Sequence, residues 1–168
     1  MSEQPFDGAV VTQPTDPNIA ALQQVLAAHH AAVYGYPLVG VKLADPAGVQ
    51  RARSLEAAHR LTRDAISTQL VALAAIPVAA EPEYAPATPV TDAASARQWA
   101  VQLEERCAAA YRYLLAATTQ ASGSAAGAGS PVTLRQQAAT GLTTSAVDAT
   151  GWRRLIAPAK PTVAFPGL

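Results

Sequence analysis

The chain has one cysteine, few aromatic residues and no surplus of charge of either sign. Each shortage excludes something. A lone thiol, Cys107, allows no intramolecular disulfide, so packing alone must hold the fold. Lys plus Arg and Asp plus Glu balance at 12 each. No long run of one sign occurs, so nothing marks a nucleic-acid surface or a charged tail. The longest apolar run, Leu70 to Ala80, contains Pro77 and falls short of the ~20 residues of a membrane span. Met1 to Gln13 has no Lys or Arg and no apolar stretch of signal-peptide length. The expectation is a soluble, cytoplasmic protein that binds neither nucleic acid nor membrane. Its expected partner is a second copy or another protein.

What is present is alanine. Half of the 168 residues are apolar, enough for one domain with a real core. Small side chains let helices pack closely, and the spacing of the larger ones predicts four helices. The first opens at Asp16-Pro17, with Asp as cap and Pro in the first turn. Its seam reads Ile19, Leu22, Leu26, His29, Val33, Tyr36, Gly40, Leu43, in steps of three and four. Pro37 falls inside this run and should kink or split it. Asp45-Pro46 closes the first helix and caps the second. The second runs to about Ala75, with the seam Ala52, Glu56, His59, Arg63, Ile66, Leu70, Leu73.

Residues 76–91 carry Pro77, Pro82, Pro86 and Pro89. Extended at ~3.1 Å per residue, this linker spans ~50 Å, against ~40 Å for a helix of the second helix's length. It can travel the bundle and deliver the third helix parallel to the second. The third helix follows Asp92 and buries Ala96, Ala100, Leu103, Cys107, Ala110 and Leu114, with Glu104 bordering the stripe. A flexible Gly/Ala/Ser loop, 122–130, leads to a fourth helix near Pro131. There the inward residues are Leu134, Ala138, Leu142, Ser145, Trp152 and Leu155 or Ile156, among helix-poor Gly141 and Gly151. The expected organisation is a flexible segment over 1–15, a bundle over 16–157 and an extended tail over 158–168.

The polar residues of the seams fall at one height. His29 and His59 are equally far from the turn at Asp45, each ~22 Å along its helix. Glu56 and Glu104 are similarly deep in the second and third helices. Asp148 and Glu104 are equidistant from the loop near residue 126. Glu56 and His59 are three apart and share a helix face, the spacing with which bundles hold iron or manganese. Two chemistries fit this layer. In one, His29, Glu56, His59, Glu104 and Asp148 ligate Fe, Mn or Zn. In the other, the carboxylates form a metal-free network with Arg63, whose charge would repel a metal. A polar half-seam must satisfy itself or bind something. Cys107 reads as a small buried hydrophobe, and the tyrosines as packing residues with hydroxyls at polar edges. His30 flanks the seam, and Glu105 points to solvent. No Gly-rich phosphate loop and no paired Ser or Cys nucleophile is evident.

The run from Leu22 to Tyr36, LQQVLAAHHAAVYGY, together with LEERCAAAYR over 103–112 and the Phe165-Pro-Gly-Leu168 end, resembles an actinobacterial ferritin-like family of unknown function. The resemblance implies an all-α, ferritin-like four-helix bundle with a long crossover between helices two and three. Ferritin-like di-iron proteins place Glu on helix one, Glu-x-x-His on helix two, Glu on helix three and Glu-x-x-His on helix four. Glu56 and His59 match the second helix and Glu104 the third. His29 stands where helix one has a carboxylate, and helix four has no Glu-x-x-His. The resemblance therefore implies a bundle with a degenerate or metal-free polar core, serving as an interaction or structural module. The alternative is a metal protein with oxidase or storage chemistry.

Overall fold

The computed structural model describes residues 16–120 and 129–168. The segment 1–15 and most of the Gly/Ala/Ser loop lie outside the described residues. The structure is all-helical: α1 (Pro17–Lys42), α2 (Pro46–Ala72), α3 (Ala93–Gln120) and α4 (Pro131–Arg154). Each helix begins where a side chain takes up the first free backbone N–H groups. Asp16 accepts from Asn18 N, Asp45 from Gly48 N, Asp92 from Ser95 N and Ser130 from Thr133 N. Proline occupies the first turn of α1, α2 and α4, where its missing donor costs nothing. α1 is neither split nor ended by Pro37. That residue is exposed, so the disturbed turn lies at the solvent side.

Helices α2 and α3 start at the same end, where Arg97 of α3 reaches Asp45, the cap of α2, at 3.2 Å. They are parallel. α1 runs against α3, since His29 meets Tyr111 while Gly35 lies under Leu103. The linker makes the crossover along α1. Gln23 brackets it through Ile76 O and Val78 N at 2.7 and 2.8 Å, and His30 holds Val78 O at 3.2 Å. Tyr84 packs on Tyr34, and Ala87 N donates to Gln102 of α3. His30, expected as a flank, is thus a clamp on the linker. Every bond to the linker comes from a side chain, because extended, proline-rich backbone has no ladder of its own.

The bundle is asymmetric. α1 packs on both α2 and α3, and α3 on both α1 and α4. These central helices bury wide stripes, including Leu22, Val25, Leu26 and Tyr36 on α1 and Trp99, Leu103, Cys107 and Leu114 on α3. Among the described residues, α2 packs its backbone closely on α1 and reaches α3 and α4 through a few side chains. Its buried line is a single file, Ala52, His59, Ile66, then Leu70. Glu56 and Arg63, expected in that seam, sit off it. Leu155 and Ile156 are exposed, and Ala149 takes an inward position on α4 instead. The tail does not run straight. It turns at Ala157–Lys160 and again at Phe165–Leu168, where Gly167 adopts φ +79° against the backbone of Ala108 and Ala109. No described helix is long and apolar enough to cross a membrane.

Gly141 explains why a helix-poor residue sits inside α4. A Cβ there would lie 2.3 Å from the Tyr111 ring. The glycine lets α4 close over that tyrosine, and tertiary contact outweighs the ~1 kcal/mol propensity cost. Gly141→Ala therefore lowers stability by about 1–3 kcal/mol despite its better helix propensity. Thermal denaturation checks this, and a raised melting temperature would show that Tyr111 does not lie under α4.

Candidate functional site

Four helices bring one polar cluster into the apolar core. His29 stands on α1, His59 on α2, and Glu104, Cys107 and Tyr111 follow one another along one face of α3. The two rings meet edge to edge, with His29 Nδ1 2.9 Å from His59 Nδ1. Their outer nitrogens are also engaged. His29 Nε2 lies 2.9 Å from Tyr111 OH, and His59 Nε2 lies 2.9 Å from Glu104 Oε1. The Tyr36 hydroxyl donates to Glu104 Oε1 and in turn accepts from Trp152 Nε1, on α4, at 3.2 Å. The Tyr36 ring stacks on His59. Glu104 is 1 % exposed, and its Oε2 has no hydrogen-bond partner.

Charge decides where the protons sit. A buried carboxylate without a counter-charge is costly, and His59 is the ring that faces it. Placing the proton between the two Nδ1 atoms on His59, which then donates to Glu104 through Nε2 and to His29 through Nδ1, gives that carboxylate its counter-charge. His29 is neutral and donates through Nε2 to Tyr111. Burial, then the neighbouring His59, push the His29 pKa down to about 3. Burial lifts Tyr111, Tyr36 and Cys107 well above their usual ranges. Both phenols and the thiol stay protonated.

The layer anticipated from helix depth is present in part. His29, His59 and Glu104 converge. Glu56 does not join them: its carboxylate pairs with Arg60, one turn along the same helix. Arg63, expected to pair with Glu56 or Glu104, pairs with Asp64 at the surface, at 2.7 Å. Both residues lie beside the single-file stripe that α2 can bury. Asp148 stands at the rim, 3.4 Å from Arg51. Burial, then Glu104, raise its pKa, while Arg51 opposes that. Tyr36, Cys107, Tyr111 and Trp152 are the site residues that the sequence reading left among packing groups. The signal for two of them was spacing: Cys107 and Tyr111 are three and seven residues beyond Glu104 on one helical stripe.

Above this layer α2 and α4 stand apart and leave a cleft of about 500 Å³. His59, Glu104 and Tyr111 form its floor, with Thr62, Gln136, Thr140, Thr144, Ser145 and Asp148 among the wall residues. No lysine or arginine is among the described residues that line it. Gln69 and Gln137 exchange hydrogen bonds at 3.3 and 3.1 Å across one end. Arg51 joins Asp148 across the other and lies over the Trp152 ring, 4.9 Å from its centroid.

A helical bundle with this core defines a recognisable class. Residues 21–168 match the family described as domain of unknown function DUF4439, and the chain belongs to it. In the crystal structure of a conserved hypothetical protein from Mycobacterium tuberculosis the same fold recurs, with 31 % identity and a TM-score of 0.72 over 85 % of this chain and 99 % of that one. No curated protein matches the chain.

The buried His29 makes stability depend on pH. Its folded pKa lies below the 6.5 of an unfolded histidine. Its contribution is intact above 6.5 and is lost as pH falls from 6.5 toward about 3. Asp148, raised instead, acts in the opposite sense, so the comparison needs a variant. Denaturant melts from pH 7 to 4 should show wild type losing roughly 3 kcal/mol more than His29→Gln, since that window covers the shift from 6.5 down to 4. Parallel curves would mean that His29 is solvated.

Proposed function

We propose that this protein is a ferritin-like bundle that has lost the di-metal centre and serves as a non-enzymatic binding module. Its ligand is a small, donor-rich polar molecule seated between α2 and α4. The observation that carries this reading is the cleft itself, floored by a buried carboxylate oxygen with no partner. An unsatisfied buried oxygen costs free energy, and a ligand N–H or O–H would recover it. Threonine and serine hydroxyls and glutamine amides on the walls can both donate and accept.

Di-metal chemistry fits poorly with the residues present. Bridged iron or manganese pairs need several carboxylates in the layer. Glu104 is the one carboxylate held there by the histidines. Glu56 is committed to Arg60, and Asp148 to Arg51 at the rim. Cytoplasmic location and self-association belong to the same reading, as an internal module that presents its cleft to a metabolite. The bundle covers 16–157, and the tail completes it by packing on α3.

The test is native mass spectrometry of protein isolated from its own host. Wild type should carry a small-molecule adduct that Thr144→Trp, filling the cleft from its exposed wall, lacks. Air oxidation of Fe(II) should proceed at the buffer rate in its presence. Fast oxidation, or an adduct equally retained by the filled cleft, would refute the proposal.

A further inference from the structure

We propose that His29, His59 and Cys107 form a mononuclear binding site for a zinc-class ion. This goes beyond the ligand cleft and does not depend on it. The donor atoms of these three residues lie within 4.8 Å of one another, on three different helices. The two Nδ1 atoms are 2.9 Å apart. Two imidazole nitrogens around a tetrahedral ion at ~2.0–2.1 Å are about 3.3 Å apart, so the rings need open by only a few tenths of an ångström.

The outer nitrogens match the arrangement that metal-binding histidines use. Each is fixed by a partner beyond the ring, Glu104 for His59 and Tyr111 for His29. Such partners set the tautomer and leave the inner nitrogen free for the ion. His29 already presents its Nδ1 lone pair inward. Whichever ring carries the hydrogen between the two Nδ1 atoms gives it up when the ion enters.

Charge balances through the exchange. Before binding, the His59 cation offsets the Glu104 anion. A divalent ion displaces one proton from His59 Nδ1 and one from the Cys107 thiol, and both leave to solvent. The ion's two positive charges then offset the Cys107 thiolate and Glu104. The fourth position opens toward the cleft, where His29, His59 and Glu104 form part of the lining. Two imidazoles and a thiolate select zinc or cobalt over iron, manganese or magnesium, which favour oxygen donors.

Cobalt titration of tag-free, full-length protein tests the site, because Cys107 is the chain's single cysteine. Co(II) should give visible d–d bands of a tetrahedral site and a near-ultraviolet thiolate-to-cobalt charge-transfer band. Both should saturate at one ion per chain and vanish on adding one equivalent of Zn(II). In Cys107→Ser the charge-transfer band should be lost while the protein stays helical. Should that variant fail to fold, the wild-type spectrum decides alone, since any thiolate band must arise from Cys107. A wild-type protein without that band, or a folded variant that keeps it, overturns the proposal. Either result leaves the adduct measurement on the cleft unaffected.

Discussion

The buried pair of His59 and Glu104 is the interaction on which the rest of the structure depends. It joins α2 to α3, which share no short connection and are linked only by the crossover. Once the pair exists, its neighbours follow. Tyr36 and Trp152 complete the oxygen side, and His29 and Tyr111 complete the nitrogen side. Residues from all four helices therefore meet in one hydrogen-bonded chain. Removing one member of a buried pair costs about 3–5 kcal/mol because the other is left uncompensated. That penalty favours one register in a core otherwise built of apolar side chains.

The asymmetry of the bundle has the same root. α1 and α3 are the central helices, and the crossover lies along α1. α2 and α4 each pack against one central helix and face one another without closing. The cleft is therefore a consequence of topology rather than of one residue. Its two ends are bridged by the glutamine pair and by Arg51 with Asp148, and its floor is the polar layer. The polar layer is thus left facing an open, polar-walled cleft on one side.

Much of this was legible in the sequence. Asp16, Asp45 and Asp92, together with Pro17, Pro46 and Pro131, mark the helix starts. The length and proline content of the linker allow parallel α2 and α3, the arrangement that forms. Matching depths along the helices bring His29, His59 and Glu104 together. What was not legible depended on how many neighbours each helix has. A seam wide enough to hold Glu56 and Arg63 requires two closely packed partners, and α2 has one. Local partners, Arg60 and Asp64, then took both side chains at small cost. Cys107 was hidden for another reason. A lone cysteine on an apolar stripe looks inert until the fold shows which groups face it.

The protonation of the two rings carries the whole account, and long-range proton–nitrogen NMR of histidine-labelled protein at neutral pH reads it directly. In metal-free protein the counter-charge to Glu104 calls for His29 as a neutral ring with its hydrogen on Nε2, and His59 with hydrogens on both nitrogens. A charged His29, or a neutral His59 beside Glu104, would contradict it.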